Sequence, residues 1–405
     1  MKSLAKPASW RPSQTAHLRT LSQRECPSRR YSGRCHQSWA LPDGGCQPGR
    51  DPRPAHLDAG CLCPRGYLSR SARHHHHAQH RLPIARIWGD GTTSSSDGQF
   101  FRGAKRGASG GDINARYGVD PGFSFYTHVS DQHGPYHVKV ISATTHEAPY
   151  VLDGLLHHGS NLSIMEHYTD TGGATDHVFA LCAMLGFRFC PRLRDFPDRR
   201  LIPIDHPASY QTIAPLLGKR IRADVIREHW DDVMRLVASL KAGHVAPSVM
   251  LRKLAAYERQ NQVDIALQEI GKVERTLFML DWLKNPALRR RCHAGLNKGE
   301  QRHALAQAIY TFRQGRVIDR SHEAQQYRAS GLNLVIAAIV YWNSIYMADA
   351  VAHLRAEGEI APDDLLTHTS PVGWEHVAFS GDFLWDRAAT ATARKPLNLT
   401  GYVLS

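Results

Sequence analysis

Past residue 80 the sequence is nearly without cysteine. Only Cys182, Cys190 and Cys292 remain there, in no framework pattern, which excludes a disulfide-stapled fold for the later chain and suits a reducing compartment. Long apolar runs are missing as well. The most hydrophobic stretch, LNLVIAAIVYWNSIYMADAVAHL from Leu332, is unbroken only from Leu334 to Trp342 before Asn343, Ser344 and Asp349 interrupt it. That is well below the roughly 18–20 residues a membrane span needs, so the stretch predicts a buried helix and no membrane partner. No apolar segment follows the basic start, which argues against a secretory signal there. Neither a GxxxxGK[ST] phosphate loop nor an HExxH zinc helix occurs, which removes two common hydrolytic chemistries. The tetrad DTGG at Asp170 would need a second such loop in an all-β chain to make an aspartic protease, and the helical texture described below excludes that.

What the sequence does have is length, a core and an uneven charge. With 405 residues, 42% of them hydrophobic, it can bury one large core or two to three ordinary domains. The formal charge of +13 suggests an acidic partner such as nucleic acid. Residues 1–80, however, hold 13 Lys/Arg against 4 Asp/Glu, leaving only +4 for the rest. Those first residues also hold Cys26, Cys35, Cys46, Cys61, Cys63 and eight of the 22 prolines. With no sustained helical or strand period, residues 1–78 read as a disordered or aberrantly translated leader, and the run His74–His77 reads as incidental composition.

From about Pro83 the texture changes. LPIARIW reads as a short apolar strand ending at Gly89 and Asp90, followed by a polar, flexible run, GTTSSSDGQ. FSFYTHVSD and YHVKVISATT, joined by a QHGP turn, read as a hairpin. Tyr150–Leu156 reads as helical, SIMEHYTD as a strand ending on Asp170, TDHVFALCAMLG as a helix and FRFCPRLRD as a strand region. Strands first, then strand, helix, strand, give an α/β core with a mixed sheet over 79–205. Ile226, Trp230, Val233, Val237 and Leu240, then Val263, Leu267, Ile270, Leu277 and Leu280, form apolar stripes, so 206–295 reads as an all-helical insertion. Leu305, Ala308, Ile309 and Phe312 mark a further helix with Glu300 in its first turn or so. Residues 296–355 then complete the core, and 356–405 form a C-terminal segment.

Asp90 and Asp170 each end a predicted strand, where side chains can be aimed across the rim of a sheet. Two such carboxylates on neighbouring strands repel unless a cation neutralises them, and hard oxygen donors select Mg²⁺, or Mn²⁺. A third carboxylate, Glu300, arriving on a nearby helix completes a site for paired ions acting on a phosphodiester. Each acid also has an ordinary reading: Asp90 as a turn former, Asp170 as a cap, Glu300 as a helix-start charge. Asp97, Glu166, Asp176 and Glu375 compete for the same roles. Basic residues needed beside such a site are Lys105, Arg106, Arg192, Arg194, Lys298, Arg302 and Arg328, with His303 one helical turn from Glu300. Trp88, Trp342, Tyr126 and Tyr168 read as core.

At this point several long segments meet a known pattern. WGDGTTSSSDGQ, EHYTDTGGATDHVFALCAMLGFRFCPRLRD, LNKGEQRHALAQAIYTFRQG, YRASGLNLVIAAIVYWNSIYMADAV and SPVGWEHVAFSGDFLW closely resemble, in order, the catalytic region of Tn3-family transposases, from about residue 79 to the C-terminus. The resemblance implies an RNase H-like core with an Asp, Asp, Glu triad and a helical insertion. Matched by motif, the triad falls on Asp90, Asp170 and Glu300. It also implies metal-dependent strand cleavage and strand transfer on double-stranded DNA, transposon ends and target, in replicative transposition in the bacterial cytoplasm, with a second copy of the chain as a further partner. Family members are several times longer upstream, where they recognise terminal repeats, and residues 1–78 do not resemble that portion. A shortened remnant that only binds DNA or a full-length partner is the alternative expectation.

Overall fold

The computed structural model describes residues 67–103, 111–206, 209–256, 261–310, 316–317, 321–358 and 362–379. One compact unit, Leu68–Trp374, holds almost all of these, and the other, Met1–Tyr67 with Glu375–Ser405, lies almost wholly outside them.

The first strand forms in the polar run. Helix α1 (Tyr67–His80) and the single turn α2 (Ala85–Trp88) precede strand β1 (Thr93–Arg102), so LPIARIW is a turn and a helix, and TSSSDGQFFR is the strand. Ser94, Ser95 and Ser96 are all buried, which hydroxyls tolerate only when hydrogen-bonded. Ser94 Oγ and Ser96 Oγ lie 2.7 and 2.8 Å from the two ring nitrogens of His167, and Ser96 Oγ lies 2.7 Å from Tyr126 Oη. Burial pushes the imidazole down to about 3, so it is neutral, with one nitrogen donating and the other accepting. Internal pairing thus replaces the apolar alternation that a strand normally displays.

Strands β2 (Asp112–Ile113), β3 (Pro121–Ser130) and β4 (Pro135–Ser142) follow. The β3–β4 hairpin is antiparallel, as expected, and β3 also pairs antiparallel with β1. Tyr150–Leu156 forms short 3₁₀ turns at Ala148–Tyr150 and Leu152–Gly154 rather than an α-helix. Strand β5 (Glu166–Thr169) adds parallel to β1, helix α3 (Asp176–Leu185) crosses over, and β6 (Arg188–Phe189) adds parallel to β5. The sheet order is β2-β3-β1-β5-β6, with β4 on β3. It is the α/β mixed sheet of an RNase H-like core.

Helices α4 (Ala223–Glu228), α5 (Trp230–Lys241), α6 (Pro247–Ala255) and α7 (Gln262–Lys284) come next, the helical insertion between Asp170 and Glu300. Val233, Val237, Leu240, Ala266, Leu267, Phe278 and Met279 bury the stripes against the core of α3. Helix α8 (Pro286–Ile309) starts where Asn285 Oδ1 accepts from the amides of Ala287 and Leu288, with proline at its first position. Glu300 therefore sits mid-helix, not in a first turn.

Helix α9 (His322–Ala356), by length and composition alone, is apolar enough to cross a membrane. It packs on β4 and α8 instead, and its buried polar groups are matched to protein partners: Asn333 Oδ1 accepts from Arg302, and Asn343 Nδ2 donates to the carbonyls of Pro371 and Gly373. That is the pattern of a core helix. The His74–His77 run lies in α1, where His75 and His76 are buried and His76 Nε2 lies 3.2 Å from Ser130 Oγ. It is part of the packing, not incidental.

Candidate active site

The β1–β5 register decides which carboxylates meet. Ser96 pairs with Thr169 across the parallel ladder, so the next residues, Asp97 and Asp170, stand side by side where that ladder ends, Asp170 just past β5 and Asp97 midway along β1. That edge is where ligands bind in open α/β sheets. Carboxylate oxygens of Asp97, Asp170 and Glu147 all lie within 4.8 Å of one another. Asp170 is held by its own loop, its Oδ1 accepting from the amides of Gly172 and Gly173 at 2.8 and 3.3 Å. Glu147 reaches the group because Gly98 has no side chain: a Cβ there would stand 1.9 Å from Glu147 Oε1 and 2.6 Å from Ser124 Oγ.

The electrostatics are those of acids whose burial and mutual repulsion outweigh the nearby Arg116 charge. Burial, then the Asp170 charge and, more weakly, that of Glu300, push Asp97 up to about 7. Burial, then Asp97 and Asp170, push Glu147 up to about 8. The donor set is three hard carboxylates, which fits an oxygen-loving divalent cation.

Asp90 does not join this group. It precedes β1 at the opposite end of the strand, since Thr93 to Asp97 alone covers about 13 Å. Its Oδ1 accepts from the amide and hydroxyl of Thr92 at 3.0 and 2.6 Å, which holds its carboxyl below the usual range. It is exposed and acts as a turn former. The surrounding loop wraps Asp131 instead, whose carboxylate accepts from Gly91 and Thr93. The strand begins three residues after Asp90, and so the position beside Asp170 falls to Asp97, one of the competing acids. Of the others, Glu166 is paired with Arg188 and Arg291, and Asp176 with Arg275.

Helix α8 brings Glu300 over the sheet. A Cβ on Gly295 would stand 2.3 Å from the Tyr168 ring, and one on Gly299 3.7 Å from Ser95 Oγ, so this glycine face lies against β5 and β1. Gln99 Nε2 donates to His303 O (2.9 Å), Arg302 Nη1 to Gln99 Oε1 (3.0 Å) and Lys298 Nζ to Trp88 O (2.8 Å) and Asp131 O. Glu300 is exposed on this anchored helix, outside the three-acid group. His303 Nδ1 lies 3.9 Å from Asp97 Oδ2. Burial pushes that imidazole down to about 3, so the pair is a neutral ring beside a carboxyl rather than an ion pair.

The predicted phosphate contacts divide accordingly. Arg302 is fully buried, bonded to Gln99 and Asn333, and Lys298 is bound to main-chain carbonyls; both hold α8 in place and are corrected to structural roles. Arg192 is half-buried on the Asp170 rim, where its carbonyl accepts from Thr171, while Arg194 and Arg328 are exposed. Lys105 and Arg106 lie outside the described residues. Glu147 was not foreseen: THEAPY carries no periodic signal, and only the fold over Gly98 brings it in.

Comparison with known proteins identifies the family. The family model described as the Tn3 transposase DDE domain matches residues 65–383. The transposase for transposon Tn21 of Escherichia coli is 54% identical over 318 residues, 78% of this chain and 32% of the relative. The transposase for transposon Tn501 of Pseudomonas aeruginosa is 51% identical over 325 residues, 80% of this chain and 33% of the relative. More distantly, the transposase for transposon gamma-delta of Escherichia coli K12 is 32% identical over 305 residues, covering 75% and 30%. The chain spans about a third of the length of these curated relatives, and with a family model matching most of its residues it belongs to the Tn3 transposase DDE-domain family.

Proposed function

We propose that this chain carries the phosphoryl-transfer centre of a DNA transposase, with Asp97, Asp170 and Glu300 as its acidic triad. The observation that supports this most is the side-by-side placement of Asp97 and Asp170 where the parallel β1–β5 ladder ends, beneath an anchored helix that bears Glu300. Bound Mg²⁺ or Mn²⁺ would activate the attacking oxygen and stabilise the departing one. The chain's own residues do the rest. Asp97 and Asp170 are fixed by the ladder and by the Gly172–Gly173 loop, so the donor positions exist before DNA arrives. Lys298, Arg302 and Gln99 hold α8 in the register that places Glu300 above them. His303, neutral beside Asp97, can accept or donate one hydrogen bond to a reacting group without adding charge. Among the described residues, Arg192 on the Asp170 rim and the exposed Arg194 are candidates to hold phosphates.

The substrate of this reading is double-stranded DNA. Strand cleavage at the junction of element and flank releases a 3′ hydroxyl, and that hydroxyl then attacks a target phosphodiester, forming one ester bond as another breaks. Work on bacterial DNA places the reaction in the cytoplasm. Incubating the purified chain with a pre-cleaved end, target DNA and Mn²⁺ tests it: joined product, lost in Asp97→Asn, is the expected result. Hydrolysis without joining would leave a nuclease of the same core.

A further inference from the structure

Beyond Asp97, one group of side chains stands unused by the acidic triad. β1 runs on to Arg102, whereas β5 pairs with it only as far as Ser96. Among the described residues, that side of β1 is paired beyond Ser96 only at its far end, where the Val317 amide donates to Arg102 O at 2.7 Å and Val317 bridges Gly103. Phe100 stands three residues past Asp97, about 10 Å along the strand. Its ring is stacked on Tyr117, with centroids 4.5 Å apart and planes within 6°. Gly122 leaves room for this arrangement, since a Cβ there would be 2.4 Å from two atoms of the Phe100 ring. The short turn Ala115–Tyr117 is fixed by Asn114, whose side chain accepts from the Arg116 amide.

The stack is only half-buried. Arg116 is exposed, and its guanidinium carbon lies over the Tyr117 ring, 5.6 Å from the centroid, in a cation–π contact. Ile113 and Val119 on the same segment are 60% and 87% exposed. The Arg116 charge also reaches Asp97 and Glu147, drawing both carboxyls down, while burial and the nearby acids push Tyr117 up. A flat aromatic platform whose covering guanidinium sits on an exposed side chain, free to swing from the ring to a phosphate, offers stacking and a phosphate contact together. An acidic peptide could use the arginine but would bring its own carboxylates up to the site's.

We propose that Tyr117, backed by Phe100, is a stacking seat for a nucleobase of the DNA strand held at the carboxylates, with Arg116 binding a phosphate of that strand. At about 3.4 Å per nucleotide step, the roughly 10 Å of strand between Asp97 and Phe100 corresponds to about three nucleotides. This rests on Asp97 and Asp170 being the reacting site. Base–aromatic stacking tolerates any sequence, and its loss weakens binding about 5- to 150-fold.

The test uses the full chain and an oligonucleotide carrying 2-aminopurine two to four nucleotides from the junction, flanked by abasic spacers so that the base cannot stack on its neighbours. Binding in Ca²⁺ should quench the fluorescence. Tyr117→Ala should abolish quenching and weaken binding by that factor, Tyr117→Phe should retain affinity, and Arg116→Gln should weaken binding and flatten its salt dependence. Calorimetric Mn²⁺ binding without DNA should match wild type in the two Tyr117 variants and persist in Arg116→Gln, whose lost charge changes only its affinity, which separates a lost seat from a lost fold. Absent quenching in the wild type, or quenching unchanged in Tyr117→Ala, overturns the seat. Absent Mn²⁺ binding in the wild type instead overturns the reading of the carboxylates, whatever the fluorescence shows.

Discussion

Replacing Asp97 with asparagine should stabilise the metal-free protein, and replacing Asp90 should not. Asp97 is pushed from its usual 3.8 to about 7, first by burial and then by Asp170. The folded value lies above the unfolded one, so ionisation opposes folding: the penalty is absent below about pH 4, grows as pH rises and is complete above about pH 7. A rise of about three units corresponds to roughly 4 kcal/mol. Coulomb's law gives a similar figure, about 3.5 kcal/mol for two charges 4.8 Å apart at an effective dielectric constant of 20. The Asp97 side chain is 31% exposed, so solvent screening leaves about 2 kcal/mol. Asparagine keeps an oxygen for the Gly98 amide, which now donates to Asp97 Oδ1 at 2.8 Å. At pH 8 in EDTA, Asp97→Asn should therefore raise the melting temperature by about 4–8 °C. Mn²⁺ should raise the wild-type melting temperature and leave that of Asp97→Asn nearly unmoved, whereas Asp90→Asn, which alters only a turn, should respond to Mn²⁺ as wild type does. Scanning fluorimetry of the three proteins with EDTA or Mn²⁺ decides it. A metal response lost in Asp90→Asn and kept in Asp97→Asn would refute the strand register on which the site is built.

Acid should unfold the protein early. His76, His133, His167 and His303 are pushed down to about 3 and His137 to about 4, all chiefly by burial. Folded values below the unfolded 6.5 mean that stability is complete above about pH 6.5 and falls as pH drops below it, by about 1 kcal/mol per histidine per pH unit. Five such groups approach a domain's whole stability of about 5–15 kcal/mol within one to two units, so circular dichroism should show cooperative loss between about pH 6 and 5. A signal flat to pH 4.5 would contradict neutral burial. In α8, Gly295→Ala drives a methyl to 2.3 Å from the Tyr168 ring, while Gly299→Ala meets nothing nearer than 3.7 Å. The first should lose about 1–3 kcal/mol and strand cleavage with it. The second should be neutral or gain up to about 1 kcal/mol in the helix, and equal melting temperatures would place α8 differently. Arg302→Met should lower the melting temperature yet leave the salt slope of DNA binding unchanged, because a fully buried guanidinium releases no counterions.

Much of the core was legible because its elements follow periodic rules. The β3–β4 hairpin, the strand into Asp170, helix α3 and the Val233, Val237 and Leu240 stripe appear where alternation or a three-to-four spacing placed them, whereas Trp230, Leu277 and Leu280 are exposed and the second half of α7 buries Phe278, Met279 and Trp282 instead. Helix α8 was started too late even though Asn285 and Pro286 form a legible start signal; the eye follows Leu305 to Phe312, while the first half of α8 has few apolar residues. β1 was illegible for a different reason. Its buried face is serine, and the satisfaction of those hydroxyls depends on His167 and Tyr126, 71 and 30 residues away from Ser96. No local window contains that information. Read from local signals, the strand therefore falls upstream on LPIARIW, and the first acid of the expected triad falls on Asp90 rather than on Asp97, which stands beside Asp170.

The same strand explains why the site can hold its acids so close. A cluster in which Asp97 and Glu147 are both pushed well above their ordinary values tends to splay apart. What opposes this is the rigidity of β1, which is laddered to β3 over nine residue pairs and to β5 over four and clamped from its buried face by a histidine that uses both ring nitrogens. Replacing His167 with leucine, which cannot bond either serine, leaves the hydroxyls of Ser94 and Ser96 without that partner at roughly 1–3 kcal/mol each. The expected consequence reaches beyond stability: β1 loosens against β5, Asp97 and Asp170 spread, and Mn²⁺ affinity falls even at temperatures where the fold persists. Asparagine or glutamine at 167 can restore at least one of the two bonds and should recover part of that affinity. Calorimetric Mn²⁺ titrations of the two variants, compared at matched folded fractions, separate a register clamp from a filler of the core. Equal affinities in both would show that β1 holds its carboxylate without help from His167.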